Sequence, residues 1–324
     1  MDTFEEKVTD FLKEEIPFVF IIDFPTSNKQ VYSFEEAAAH DIFFNIRGTS
    51  NDKGAIQQTA STVGIDLHPN PISFSTYQNA FETVKNELRN GNSFLLNLTF
   101  PTELNAALDL KDIYRKAAAP YALLYKDQFV VFSPECYLKF NGGHVYSYPM
   151  KGTINSTIPD AMEVLLSNKK ELHEHNTIID LIRNDLSMIS KEVQVTKFRY
   201  VDRIKSGSEE LLQTSTEIRG KLPLDWKNNF AKLLLSTLPA GSISGAPKNK
   251  TLEIINQVES KPRGFYTGIF GIYDGKNIDS AVSIRFIEKD HDRYYFRSGG
   301  GITHLSILEE EYRELLEKIY VPTV

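Results

Sequence analysis

The chain has 324 residues, 41% of them apolar and 24% charged, with a formal net charge of −7. That is the composition of a globular protein with room for a large core, and the acidic balance with no basic block argues against a nucleic-acid footprint. One cysteine, Cys136, excludes an internal disulfide and fits a reducing, cytoplasmic setting.

The acidic opening "MDTFEEKVTDFLKEE" lacks the basic start of a signal peptide. The apolar run "IPFVFII" is too short to cross a bilayer. "FVFIIDF" (18–24) and "VYSF" (31–34) read as a short hairpin. "YQNAFETVKNELRNG" reads as a helix, with Tyr77, Phe81, Val84 and Leu88 on one stripe and Gly91 as its stop. "SFLLNLTF" (93–100) is a buried strand. "YALLYKDQFVVFS", "CYLKF" and "HVYSY" are further strands, the last two joined by the turn "NGG". A helix-prone stretch runs from Asp160 to about Ile189. Strands return at "QVTKFRYVDRI" and "LLQTSTEIRGKL", and a helix opens near "APKNKTLEIINQV". The tail is rich in hairpins: "GFYTGIFGIY", turn "DGKN", "IDSAVSIRFIE", turn "KDHD", "RYYFRSGGGI". A last helix, "LEEEYRELLEKI", closes it. Strands in runs with helices grouped between them favour an α+β fold over a doubly wound sheet. No repeat or linker divides the chain, which reads as a single domain over residues 1–324.

Several side chains carry chemistry beside a plainer reading. Lys151 in "PMKGTI" ends a strand before a glycine, either as a solvated turn lysine or as a placed amine. Glu171 and Glu174, and again Glu311 and Glu314, are spaced so that each pair shares one helix face. Two such helices facing each other would make an all-oxygen cation site suited to magnesium; otherwise they are two solvated surfaces. Glu135 follows a proline at a strand end, as an exposed loop acid or as a general acid. "LPAGSISGAPK" and "SGGGI" are dense in small residues, as turns or as backbone close to a ligand, and neither has the spacing of a phosphate-binding lysine loop. Arg285, in an otherwise apolar strand, wants a carboxylate from the protein or a ligand. Tyr266 has the same two readings for its hydroxyl.

In order along the chain, "SPECYL", "PMKGT", "KELHEHNTIIDLIRNDL", "LPAGSISGAPK", "RGFYTGIFGIYDG", "AVSIR", "SGGGI" and "EEEYRELLEK" resemble the chorismate-utilising enzymes. The resemblance spans residues 73–321, leaving residues 1–72 as a shortened N-terminal region packed on that chorismate-binding core. It implies the anthranilate-synthase-like fold, two packed β-sheets with helices outside. Within the family, P-x-K-G-T resembles the aminodeoxychorismate synthases, where anthranilate synthases have alanine in place of Lys151. The implied reaction is of the transaminase class: chorismate plus ammonia gives 4-amino-4-deoxychorismate, for para-aminobenzoate and folate synthesis. A separate glutaminase subunit would supply the ammonia. Lys151 is then a neutral nucleophile whose pKa the site should depress, and Glu135 the general acid. Glu174 and Glu314 resemble direct magnesium ligands, with Glu171 and Glu311 secondary. Arg285 and Tyr266 resemble the grip on the enolpyruvyl carboxylate, with backbone amides near Gly301 and Ile302. Gly152, Thr153, Ser242 and Lys318 match other substrate contacts. Leu95 stands where isochorismate and salicylate synthases have a water-activating lysine and many amination enzymes have glutamine, so it departs from both, and Leu212 stands where many members have a histidine near the ring. The short N-terminal region predicts no tryptophan feedback site. Anthranilate synthase and a non-catalytic chorismate-binding regulator are the rival readings.

Overall fold

The computed structural model describes residues 3–52, 65–206 and 209–323. Its centre is a pair of nine-stranded sheets. In the first, the order is Met150–Asn155, Glu209–Lys221, His144–Ser147, Cys136–Asn141, Ile278–Val282, Ile269–Tyr273, Phe18–Ile22, Lys29–Ser33, and Lys191–Ser206 also pairs with Glu209–Lys221. In the second it is Gly245–Ala246, Leu95–Leu104, Arg293–Ile302, Phe286–Asp290, Phe129–Ser133, Tyr121–Tyr125, Ile42–Ile46, Thr49–Ser50, with Pro69–Asn70 against Leu95–Leu104. Every ladder among the described strands is antiparallel.

The strands sort their side chains by the two-residue period of a pleated strand. In Phe18–Ile22, Phe18, Phe20 and Ile22 face the helices Thr3–Lys13, Trp226–Ser236 and Lys169–Ile189. Val19 and Ile21 point between the sheets, onto Phe44, Leu123, Val131 and Phe270. All five are fully buried, each worth about 1.5–3 kcal/mol relative to exposure. The outer face of the second sheet is covered by the helices Phe74–Arg89, Lys248–Val258 and Leu308–Glu317 at one end and Leu110–Lys116 at the other. The expected stripe of Tyr77, Phe81, Val84 and Leu88 is the buried face of its helix. The expected architecture, two packed sheets with helices outside, is the one observed.

The helix-prone stretch from Asp160 is two helices, Ala161–Ser167 and Lys169–Ile189. Asn168 divides them, and its side chain caps the second by accepting from the Glu171 amide at 3.1 Å, as N-cap residues do.

One expected strand is corrected. "IDSAVSIRFIE" is not a single strand: Ile278–Val282 lies in the first sheet and Phe286–Asp290 in the second. Arg285 sits in the break with φ 54°, a left-handed conformation uncommon for a side-chain-bearing residue. A matching break divides Phe129–Ser133, in the second sheet, from Cys136–Asn141, in the first, at Pro134 and Glu135. A strand cannot turn from one sheet into another while keeping its ladder, so both breaks free their side chains from the pleat.

Candidate active site

A cavity of about 260 Å³ opens where these breaks lie. Leu95, Asn97 and Thr99 give one wall, the face of that strand opposite the buried Leu96, Leu98 and Phe100. Ser242 and Ile243 come from the small-residue turn, and Gly299 and Gly301 from "SGGGI". Glu135, Lys151, Gly152, Glu174, Tyr266, Arg285, Glu314 and Lys318 all line it. The ordered motifs therefore converge on one place.

Lys151 is aimed by a bulge. The register between Met150–Asn155 and Glu209–Lys221 shifts between Lys151 and Thr153, and Gly152 has φ 79°. Such an irregularity bends the strand and redirects a side chain. The Lys151 ammonium lies 2.7 Å from a Glu174 carboxylate oxygen. Burial pulls its pKa down, but Glu174, Glu171 and Glu314 together outweigh burial and hold it above the ordinary lysine value. In the protein alone three carboxylates surround the amine and keep its proton, whereas the expected depression called on a nearby positive charge, magnesium.

Glu135 is the opposite case. Burial pushes its carboxyl up to about 7, against the opposing pull of Lys318, Arg285 and Lys151. It is a proton donor poised near neutrality. Arg285 has a buried Nε with no protein hydrogen-bond partner, and its guanidinium lies over the Tyr320 ring at 5.2 Å. A buried guanidinium nitrogen left open at a cavity is a place for an anionic ligand. Tyr266 is buried beside it, and burial pushes its hydroxyl up to about 12, so it stays a hydrogen-bonding phenol.

Glu174 is 6% exposed and Glu311 4%. A side chain at Gly300 would bring its Cβ within 3.3 Å of both the Glu311 and Glu314 carboxylates, so the glycine lets the helix Leu308–Glu317 approach. Glu314 pairs with Lys318 at 2.6 Å, and Lys318 also donates to the Gly299 carbonyl at 2.8 Å. The donor set is hard carboxylate oxygen around two ammonium groups, Lys151 and Lys318, and carboxylate oxygen is chemistry that fits magnesium. Among the described residues no three His, Cys, Asp or Glu side chains stand as a metal cluster, and Glu174 and Glu314 are each engaged by a lysine.

Some expected residues lie elsewhere. Thr153 is exposed, and its hydroxyl accepts from the Gln213 amide at 3.2 Å, outside the cavity lining. At Ile302 the expected contact is the backbone amide, next to Gly301 of the lining, and its side chain is fully buried in the helix-covered core. Glu171 and Glu311 stand behind the lining rather than in it. Leu212 is corrected: it packs on Ala161 and Leu165 in a satellite core, and its neighbour Gln213 lines the cavity. Successive residues of a strand face opposite sides, so a one-residue offset exchanges core and site.

Asn97, Thr99, Gln213 and Arg297 line the cavity without having been singled out. The alternation in "LLNLT" was the available signal for the first two. His175, next to Glu174, is fully buried with Nε2 2.6 Å from the Thr216 hydroxyl. Burial, with Arg199 and Lys151, pulls it down to about 4, so the ring is neutral.

Known proteins were compared with this chain. A family model described as chorismate binding enzyme matches residues 29–323. An uncharacterized PabA-like protein of Haemophilus influenzae is 50% identical over 99% of this chain and 97% of its own length. A second PabA-like protein, from Pasteurella multocida, is 47% identical over 99% of both. An anthranilate synthase component 1 of Haloarcula marismortui is 33% identical over 72% of this chain and 48% of its own length. Among solved structures, anthranilate synthase component I of Streptococcus pneumoniae has TM-score 0.70 and 22% identity, covering 96% of this chain and 84% of that one. The menaquinone-specific isochorismate synthase of Escherichia coli has TM-score 0.71 and 15% identity, over 97% and 80%. At those identities the solved structures share the fold.

Proposed function

The chain belongs to the chorismate-binding enzymes, and on that premise we propose that it is an aminodeoxychorismate synthase component, converting chorismate and ammonia to 4-amino-4-deoxychorismate. The observation that carries this reading is that Lys151 and Glu135, a nucleophile and an acid, line one cavity with Arg285 and Tyr266. The name PabA-like, borne by relatives at 50% and 47% identity, supports a place in para-aminobenzoate formation. It also supports a separate glutaminase as the source of ammonia.

The Lys151 amine, once deprotonated, adds at ring C2. Both ring double bonds shift, from C1=C2 and C5=C6 to C1=C6 and C4=C5, and the C4 hydroxyl leaves as water with the proton held by Glu135. Ammonia then adds at C4, both double bonds return, and the C2–Nζ bond breaks to restore the lysine. One difficult displacement becomes two allylic ones. Glu135, now a carboxylate, accepts the proton that the added ammonia sheds. Arg285 and Tyr266 would grip the enolpyruvyl carboxylate, and Leu95 would give water no base on its side of the ring.

Glu174 and Glu314 would hold magnesium directly, with Glu171 and Glu311 behind them. Bound there, the ion supplies positive charge that offsets the carboxylate field around Lys151 and a grip for the ring carboxylate. In the protein alone, Glu174 keeps the proton on Lys151, and an ammonium cannot add to carbon.

The test is mass spectrometry of the products formed from chorismate, ammonium and magnesium. Aminodeoxychorismate is expected. The second reading, anthranilate synthase component I, is favoured by the relatives of that name. It would give fluorescent anthranilate with release of pyruvate, and that outcome would replace the first reading.

A further inference from the structure

Arg263 lies outside the cavity and is 3% exposed. Its guanidinium meets five acceptors. Nε and one terminal nitrogen grip the two oxygens of Glu259 at 2.9 and 2.6 Å. That terminal nitrogen also donates to the Asn97 carbonyl at 2.7 Å. The other reaches the Ile243 carbonyl and the Thr267 hydroxyl, each at 3.4 Å. Glu259 in turn accepts from the backbone amide and hydroxyl of Thr99 at 3.1 and 2.9 Å.

The acceptors and donors so collected belong to three separate segments of the cavity wall. Asn97 and Thr99 lie on the strand, Ile243 on the turn beside Ser242, and Thr267 beside Tyr266, and all of them line the cavity. Only a guanidinium has a planar fork with donors enough to join two backbone carbonyls, a hydroxyl and a carboxylate at once. We propose that the buried Arg263–Glu259 pair is a positioning clamp that holds Ser242 and Tyr266 in register with the Asn97–Thr99 wall, so that it governs turnover without touching substrate. This rests on the reading of the cavity as a chorismate site.

The experiment compares Arg263→Lys with Phe230→Leu, a change in the helix-covered core of the first sheet. Arg263→Lys keeps the charge and loses the fork. Both variants are measured for cooperative melting, chorismate affinity by calorimetry, and steady-state kinetics. Arg263→Lys is expected to lower kcat by about 100-fold, the scale of a misplacement of about 1 Å at a reacting centre, with a smaller change in KM. Phe230→Leu, at similar loss of melting temperature, should keep kcat within about twofold, because Phe230 does not line the cavity and holds none of its wall by hydrogen bonds. Equal kinetic losses in the two variants overturn the clamp. If Arg263→Lys does not fold, Glu259→Gln and Thr99→Val enter the same comparison under the same criterion. Hydrogen exchange reads the clamp without substrate: the segments around residues 97–99, 243 and 267 should exchange about tenfold faster in Arg263→Lys than in Phe230→Leu. Unchanged exchange there also refutes the clamp. Wild-type protein that binds no chorismate refutes the functional reading and leaves the exchange test of the clamp standing.

Discussion

Glu135 and Arg285 occupy neighbouring breaks at which the chain passes between the two sheets, and the backbone ties the breaks together. The Val282 amide donates to the Glu135 carbonyl at 3.3 Å, and the Phe132 amide to the Arg285 carbonyl at 3.0 Å. Each break leaves one ionisable side chain outside the pleat, facing the same cavity. The proposed acid and the proposed anion grip are thus set by one feature of the fold.

Glu135 predicts the pH dependence. Its carboxyl titrates near 7 in the folded protein, above the ordinary 4.5, so activity that needs the acid form should fall as pH rises through 7. Glu135→Gln should remove that limb and lower turnover by about 10²–10⁴-fold. The sign for stability follows from linkage. A raised folded pKa contributes stability fully present below the unfolded value, and this is lost as pH rises to the folded value. Glu135→Gln should therefore gain melting temperature over wild type at pH 8 relative to the same comparison at pH 4. Calorimetry at the two pH values checks this.

Lys151→Ala should lower turnover by about 10³-fold or more, since a nucleophile's removal collapses the two-step route. Lys151→Arg should not rescue it, because a guanidinium keeps the charge but cannot lose its proton. Intact-mass analysis of the wild type under turnover should show a chorismate-derived adduct that both variants lack.

Gly152→Ala tests the bulge. The residue has φ 79°, and an added Cβ would meet Leu165 Cδ1 at 3.1 Å. The substitution should cost about 1–3 kcal/mol from the backbone conformation, read by urea denaturation. Adding Leu165→Ala should leave that cost in place, because it removes the contact and not the strain.

Arg285→Leu should weaken chorismate binding by about 10–150-fold, the equivalent of one hydrogen bond to a charged group. Calorimetric titration checks it. A substrate analogue lacking the enolpyruvyl carboxylate should bind wild type and variant alike.

Removing magnesium with a chelator should abolish turnover, and adding it back should restore it. Lys151→Ala should bind magnesium more tightly than wild type. It lacks the ammonium that engages Glu174 at 2.7 Å and competes for the same oxygens.

Much of the site was legible because its residues come in runs with local logic. The acids of "KELHE" and "EEEYRE" sit one helical turn apart, and both helices formed where the pattern put them. Three things were not legible. The split of "IDSAVSIRFIE" between sheets left no mark in a continuous apolar alternation. Leu212 and Gln213 differ only in which face of a strand they take, which is set by pairing across a bulge. The sign of the Lys151 shift depended on how many carboxylates surround it, a sum over segments remote in sequence.

The sequence by itself determined the family, many of the strands and helices and the candidate reactive groups, because helical and strand periods and the order of motifs are properties of neighbours along the chain. The tertiary structure alone decided which of those groups share a cavity and in what state. Burial that pushes Glu135 up to about 7 and carboxylates that keep the proton on Lys151 arise only when segments far apart in the chain close around one small volume.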